Sequence, residues 1–185
     1  MQVKATPLSG LVIIEPAVHR DSRGFFIETW RESWAKEIGA VAPFIQDNHA
    51  YSTQPGVVRG LHFQAPPAAQ SKLIWVTRGA IFDVAVDLRT NSPTFGKWFG
   101  LEISAGNFLR LYVPKGFAHG YMTTQPDTEV QYKVDAFYSP EHEGGLLWND
   151  PGIGVAWPNA EASIVSPKDA TLPGLASFSS PFSAV

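Results

Sequence analysis

Short apolar or alternating runs recur along the whole chain, and each is ended by glycine, proline or a polar turn. Examples are GLVIIEP, VVRGLHFQ, KLIWVTRG, AIFDVAVDLR, FLRLYVPKG and EVQYKVDAFY. Strands that are interrupted this often by turn residues are typical of an all-β sandwich or barrel. One helical pattern spans Thr29 to Gly39, where Trp30, Trp34 and Ile38 repeat every four residues. The pattern therefore predicts an all-β fold with one or two short helices.

Alternation within two of these runs predicts where particular side chains point. In EVQYKVDAF, Tyr132 shares a face with the valines, so it is expected to point into the interior. In VVRGLHFQ, strict alternation places Arg59 and His62 on opposite faces of the strand. A bulge at Gly60 would bring both side chains to one cavity.

Length and composition narrow the class of protein. The chain has 185 residues, 44% hydrophobic and 17% charged, which fits one soluble globular domain. A net charge of -3 argues against nucleic acid or an anionic membrane as the main partner. The absence of cysteine excludes disulfides, thiolate metal sites and thiol nucleophiles. Together with the lack of an export-type or membrane-spanning apolar run, it leads us to expect a cytoplasmic protein.

Two histidine motifs resemble parts of the cupin metal signature. VPKGFAHGY, with Pro114, Gly116 and His119, matches its PxGxxH half. The other half would be HxH followed by a glutamate, but here His62 is followed by Gln64, and alanines stand where the glutamate belongs. Two imidazoles and a neutral amide are a poor ligand set for Zn²⁺ or Fe²⁺. We therefore expect a cupin scaffold that holds no metal.

His62 has three possible roles, as a core residue, a metal ligand or a base. Imidazole titrates near ~6.5, so it accepts a proton at neutral pH when a carboxylate orients it. A base also needs an opposing acid and a cation that stabilises developing negative charge. Tyr132 and Lys72 are the right residue types, although they could equally be a core aromatic and a solvated strand end. Sequence spacing alone does not decide between these roles.

The motifs together resemble one family, the dTDP-4-dehydrorhamnose 3,5-epimerases, which are cofactor-free enzymes of the deoxysugar pathway on a cupin-type jelly roll. The segments that carry the resemblance are DSRGFFIE, QDNHAYS, VVRGLHFQAPPAAQSKLIWVTRGAIFDVAVDLR, SPTFGKW, VPKGFAHGY, YKVDAFYSPEHEGGLLWNDP and SPKDATLP. The resemblance runs from about Gly10 to Pro173, so residues 1–185 are expected to form one antiparallel jelly-roll domain with a tail from about 174 to 185. It implies an isomerase that inverts C3 and C5 of dTDP-4-dehydro-6-deoxyglucose without a cofactor or metal.

The resemblance also implies a role for each candidate residue. It makes His62 the proton acceptor, oriented by Asp169, with Tyr132 as proton donor and Lys72 stabilising the enolate at the C4 oxygen. The substrate-binding residues that it implies are Arg23, Arg59 and Lys168 for the diphosphate, and Glu28, Gln46, Asp47, Asn48, His119, Tyr138 and Glu143 for the sugar and nucleotide. It further implies a homodimer in which the N-terminal strand is exchanged and part of each site comes from the partner chain.

The chain departs from the family pattern at a few positions beside the expected nucleotide and sugar. These are His19 and Arg20, Ser71 and Trp75, and the pair Tyr121-Met122, which replaces a Phe-Leu-type or Phe-Tyr-type pair. They affect specificity more than chemistry and leave open an enzyme that inverts only C3 or only C5 of a related sugar. A metal-dependent cupin enzyme and a non-catalytic sugar-nucleotide binding module also stay open at the level of the sequence.

Overall fold

The structure, a computed structural model, describes residues 1–183. Within these residues the strands, in chain order, are β1 (Gln2–Ala5), β2 (Val12–Glu15), β3 (Val18–Asp21), β4 (Gly24–Ile27), β5 (Gln46–Ser52), β6 (Val57–Gln64), β7 (Lys72–Arg78), β8 (Ala80–Asp87), β9 (Trp98–Ser104), β10 (Arg110–Val113), β11 (Phe117–Thr123), β12 (Thr128–Val134), β13 (Glu143–Gly145) and β14 (Ile164–Val165). The α-helix is α1 (Ala35–Ile38), and short 3₁₀ turns lie at Glu32–Trp34, Pro140–His142, Ala160–Ala162, Asp169–Thr171 and Leu175–Ser177.

The strands form two six-stranded sheets and one separate hairpin. The first sheet has the order β1-β2-β10-β7-β12-β5, and the second has the order β13-β6-β11-β8-β9 with β14 beside β6. The pairings are antiparallel except that of β14 with β6, which is parallel. Side chains of both sheets, such as Ile74 and Val130 of the first and Ile81 and Ala85 of the second, pack in one core cluster. The predicted all-β, cupin-like fold is confirmed.

The predicted helix is present but begins later than its pattern. Arg31 is extended, and the chain enters a 3₁₀ turn at Glu32 before α1, which ends at Gly39 in a left-handed conformation (φ 75°). Trp30 stays outside the helix because it packs edge-on against Trp34 and Phe44. Among residues 1–183, no helix is long and apolar enough to cross a membrane.

The C-terminal segment covers the outer side of the second sheet. Phe178 and Phe182 both pack edge-to-face against Phe63 of β6, with ring centroids 5.5 Å apart. Phe182 is buried in the same cluster as Trp148 and Trp157. Residues 184 and 185 of the predicted tail lie outside the described part of the chain.

A bulge interrupts β6 at Gly60. His62 lies opposite His119 of β11, and Arg59 lies opposite Tyr121, so three steps along β6 match two along β11. The extra residue reverses the alternation, and Arg59 and His62 line the same cavity. The bulge predicted from the sequence is therefore confirmed.

Glycine is required at the bulge for two reasons. Gly60 has φ +130°, and a Cβ atom there would lie 2.5 Å from the Cα atom of Gly120 and 2.8 Å from the carbonyl oxygen of His119. Both neighbours are backbone atoms, which cannot rotate away as the end of a side chain can. The spacing between β6 and β11, and with it the position of His62, depends on the absence of a Cβ atom at residue 60.

We predict that Gly60→Ala lowers the free energy of unfolding by about 2–5 kcal/mol, because an unfavourable φ and an overpacked contact add. The matched control is Gly24→Ala, since Gly24 has φ +134° but nothing within 4 Å of the added Cβ. Gly24→Ala should lose less free energy of unfolding, because it has the unfavourable φ but no overpacked contact. Urea denaturation of both variants measures the difference, and equal losses would contradict the steric argument.

Candidate active site

A cavity of about 550 Å³ lies between the two sheets. The second sheet contributes walls from β6 and β11, the first sheet contributes β7 and β12, and the segment after β14 closes one side. The polar side chains that line it are Arg59, His62, Lys72, His119, Tyr121, Tyr132, Ser166, Lys168 and Asp169. The rest of its surface is apolar, with Ile74, Val130 and Val165 among the lining residues.

A second cavity of about 320 Å³ adjoins the first. Both cavities are lined by His62, Lys72 and Tyr132, so these three side chains stand where the two meet. The residues that the second cavity adds include Gln46, Asn48, Gln70, Tyr138 and Glu143. The two together form a cleft long enough for an elongated ligand, with titratable groups at its middle.

His62 is held by a buried carboxylate. Its Nε2 lies 2.7 Å from Oδ1 of Asp169, whose side chain is almost fully buried. The other carboxylate oxygen accepts the N–H of Gly60 at 3.2 Å, and the Asp169 N–H donates to Oγ of Ser166 at 3.1 Å. A carboxylate that accepts the Nε2 proton fixes the imidazole tautomer and leaves Nδ1 to take up another proton.

Burial tunes the groups at the middle of the cleft toward proton transfer. Burial lowers the pKa of His62, the Asp169 carboxylate opposes this, and the charge of Lys72 adds to the lowering. His62 is therefore neutral, and able to act as a base, at neutral pH. Burial raises the pKa of Tyr132 above that of an ordinary phenol, so this side chain keeps its proton.

Lys72 supplies a cation whose pKa lies not far above neutral pH. Burial lowers the pKa of Lys72 to about 8, although the carboxylates of Asp83 and Glu143 partly offset that effect. The ammonium is thus still mostly charged at pH 7. Lys72 opens β7 in the first sheet and lines both cavities together with His62 of the second sheet.

Several other residues predicted to bind substrate meet in the smaller cavity. Gln46 and Asn48 alternate along β5 and are joined by a hydrogen bond of 2.8 Å. Glu143 accepts a hydrogen bond from the Tyr138 hydroxyl at 2.7 Å and pairs with Lys168 at 2.6 Å. The latter three form a linked cluster at the open end, where the Tyr138 ring is 57% exposed.

Three predicted residues do not line the cleft within a single chain. Asp47 lies on the other face of β5 and pairs with Lys133 at 2.7 Å. Arg23 and Glu28 belong to the hairpin of β3 and β4 and the residue after it, where they pair with Asp21 and Arg31. The hairpin projects from both sheets, and its side chains reach neither cavity.

Sequence reasoning missed a second histidine–carboxylate pair. His119 Nε2 lies 2.7 Å from Oδ1 of Asp83, and both side chains are buried, with His119 on the wall of the larger cavity. Asp83 was visible only as an acidic residue within the apolar run of β8, which does not reveal its partner. Ser166, which positions Asp169, was missed because nothing in SPKDA marks it as more than a turn residue.

The donor atoms of the broken cupin signature are engaged elsewhere. The Gln64 amide donates to the carbonyl oxygens of Ala68 and Phe137 and accepts the N–H of Ser139. His119 Nε2 is bonded to Asp83. Among residues 1–183, no group of three or more His, Cys, Asp or Glu side chains is placed to hold a metal ion. These side chains do not fit a metal site of the cupin type.

A cupin-like β fold whose cleft gathers a carboxylate-held histidine, a lysine and a tyrosine defines a protein equipped for acid–base chemistry on a bound ligand. Comparison with known proteins agrees. The family model described as dTDP-4-dehydrorhamnose 3,5-epimerase matches residues 5–177. A protein of that name from Sinorhizobium fredii is 48% identical over 175 residues, which cover 95% of this chain and 90% of the relative.

Solved structures match over nearly the whole chain. The dTDP-6-deoxy-D-glucose-3,5-epimerase of Legionella pneumophila, in complex with dTDP-4-keto-L-rhamnose, has a TM-score of 0.92 at 40% identity, covering 96% of this chain and 94% of that one. The dTDP-4-dehydrorhamnose 3,5-epimerase of Bacillus anthracis, with TDP and PPi bound, has a TM-score of 0.90 at 48% identity, covering 94% and 99%. The chain belongs to the dTDP-4-dehydrorhamnose 3,5-epimerase family and is an isomerase.

We predict that Asp169→Asn lowers the pKa of His62 further. The carboxylate raises that pKa, so its removal leaves the lowering by burial less opposed. NMR titration of the His62 ring signals, assigned by loss in His62→Asn, measures the shift in the free protein. An unchanged or higher value in Asp169→Asn would show that the pair is not coupled.

Proposed function

We propose that this protein inverts C3 and C5 of dTDP-4-dehydro-6-deoxyglucose and yields dTDP-4-dehydrorhamnose, with His62 as base and Tyr132 as acid. The observation that carries this assignment of roles is the meeting of His62, Lys72 and Tyr132 at the middle of one cleft, with Asp169 behind His62. The pKa shifts of His62, Lys72 and Tyr132 leave each of these three in the protonation state that its role requires.

The substrate dictates the chemistry. The hydrogens on C3 and C5 of a 4-ketosugar are both α to the C4 carbonyl, so removal of either gives an enolate with its charge on the C4 oxygen. His62 takes this proton, and Asp169 stabilises the imidazolium that forms. The Lys72 ammonium stabilises the enolate oxygen. Acid–base participation of this kind typically contributes ~10²–10⁴-fold to the rate.

Inversion follows from the position of the acid. His62 belongs to the second sheet and Tyr132 to the first, so they approach a sugar in the cleft from opposite faces. The Tyr132 hydroxyl donates its proton to the carbon from the face opposite to the one that lost it. The imidazolium then releases its proton to solvent and the phenolate regains one, and the same pair serves the second carbon.

We assign the binding of the nucleotide end of the substrate to the exposed side chains of the cleft. Arg59 and Lys168 are exposed at the wall of the larger cavity, and guanidinium and ammonium groups suit diphosphate oxygens. Tyr138 presents a half-exposed ring beside Glu143 and is suited to stack on thymine. Gln46 and Asn48 supply hydrogen bonds from the smaller cavity, and His119 supplies one from the larger.

We also assign the protein to a homodimer that shares its sites. The projecting hairpin exposes Phe25 and Phe26, at 55% and 66%, and its Arg23 has no place in the cleft of its own chain. A second copy would cover the two rings and bring Arg23 and Glu28 to the partner's diphosphate end. Among residues 1–183, β1 pairs only with β2, so its other edge is available to the partner's sheet. The cysteine-free composition fits a cytoplasmic enzyme.

Incubation of the protein with dTDP-4-dehydro-6-deoxyglucose in D₂O tests the function. We expect deuterium at both C3 and C5 of the product, because the Tyr132 hydroxyl exchanges with solvent and delivers deuterium to each carbon that His62 has deprotonated. NMR and mass spectrometry read both positions. Label at one carbon alone would identify a single-centre epimerase, and binding of the sugar nucleotide without any label would identify a binding module.

Variants assign the roles within the same experiment. His62→Ala should abolish exchange and leave dTDP affinity nearly intact, whereas Tyr132→Phe should keep deuterium uptake but impair inversion, because His62 can return deuterium only to the face it came from. His49→Ala is the matched control, since His49 is exposed and pairs with Glu129 outside the cleft. Normal inversion by Tyr132→Phe would refute the assignment of the acid.

Complementation tests the shared site. Arg23→Ala should lose about 10-fold or more in kcat/KM, because a charge-assisted contact to phosphate is lost. If Arg23 serves the partner's cleft, a heterodimer of Arg23→Ala with His62→Ala has one site with both lesions and one intact site, so activity returns. Co-expression with two different tags isolates that heterodimer. If no activity returns in a purified heterodimer, Arg23 and His62 act within the same chain.

A further inference from the structure

Tyr121 carries a buried hydroxyl that nothing in the fold uses. It lies in β11, its residue is only 4% exposed, and it lines the larger cavity together with His62 and Tyr132. Within residues 1–183 its hydroxyl has no hydrogen-bond partner. A buried tyrosine hydroxyl normally finds a partner, because leaving it unpaired forfeits the hydrogen bonds it made with water.

The surroundings of Tyr121 are polar on three sides. In the strands next to β11, its register neighbours are Arg59 of β6 and Asp83 of β8. Tyr132 approaches from the opposite sheet, close enough to influence the ionisation of Tyr121. None of the three bonds to the Tyr121 hydroxyl, and Oδ2 of Asp83 is also without a partner within residues 1–183. Two buried polar atoms, the Tyr121 hydroxyl and Oδ2 of Asp83, therefore have hydrogen-bonding capacity that residues 1–183 do not use.

The Tyr121 ring itself does not need the hydroxyl. It packs in the apolar core cluster with Ile74, Phe117 and Val130. A phenylalanine would fill the same space and leave no unpaired polar atom, and a Phe-led pair is what the family pattern led us to expect at this position. The hydroxyl is therefore a feature of this chain that packing does not explain.

We propose that the Tyr121 hydroxyl donates a hydrogen bond to an oxygen of the hexose, which makes Tyr121 a further specificity-determining residue. This inference rests on the proposed function. The hexose is favoured over the diphosphate because Arg59 and Lys168, the groups suited to phosphate, are exposed, whereas Tyr121 is buried on the wall that it shares with His62. Burial raises the pKa of Tyr121, so the phenol stays neutral and donates.

Tyr121→Phe tests the inference through three measurements. The value of kcat/KM for the dTDP-4-keto-6-deoxy sugar should fall about 3- to 10-fold, as for loss of one neutral hydrogen bond. The Kd of dTDP, which lacks the hexose, should not change. The melting temperature of the free protein should stay the same or rise, because no internal hydrogen bond is lost.

The control is Tyr112→Phe. Tyr112 of β10 is equally buried but does not line the cleft, so its variant should keep the wild-type kcat/KM. Unchanged kcat/KM in Tyr121→Phe would overturn the inference. So would a clear fall in its melting temperature, which would mean that the hydroxyl is partnered inside the protein, for instance through a buried water shared with Asp83. Failure of the wild-type protein to turn over the sugar would instead refute the proposed function.

Discussion

The cleft depends on the carboxylate of Asp169, which binds two groups of the same strand at once. One oxygen accepts the proton of His62 and the other accepts the N–H of Gly60, the residue at the bulge. The bulge brings Arg59 and His62 to one face of β6, and the carboxylate fixes the imidazole that this places in the cleft. Backbone geometry and proton affinity are thus set by a single buried anion.

The second constraint is the separation of the two sheets. An acid and a base on one strand would neutralise each other or reach the same face of a ligand. Here His62 and Tyr132 come from different sheets, and burial in the cleft between the sheets shifts the pKa of each from its ordinary value. Lys72 shares the wall of Tyr132, so the ammonium and the phenol lie together, opposite the imidazole of His62. This geometry suits inversion better than simple exchange.

The sequence predicted the architecture well because strand alternation reports directly on burial. It placed Tyr132 on the interior face. It also identified Gly60 as the residue where a bulge would bring Arg59 and His62 to one cavity. It could not predict from spacing that Asp169 reaches His62, since the two lie 107 residues apart, and only the family resemblance connected them. The pairing of Asp83 with His119 could not be predicted for the same reason. The predicted start of the helix was wrong because Trp30 joins an aromatic cluster, so tertiary packing overrode the four-residue repeat.

The parallel pairing of β14 with β6 determines how the cleft around His62 is completed. β14 lies immediately before the segment that delivers Ser166 and Asp169, so a segment 107 residues beyond His62 completes a cleft whose other walls come from β6, β7, β11 and β12. Until that stretch docks, His62 has no carboxylate and the bulge N–H of Gly60 has no acceptor from it. The strands of both sheets other than β14 come from residues that precede it, and without the segment that follows β14 His62 would lack its carboxylate partner. The orientation of His62 therefore depends on the docking of β14 as much as on the strand that carries the imidazole.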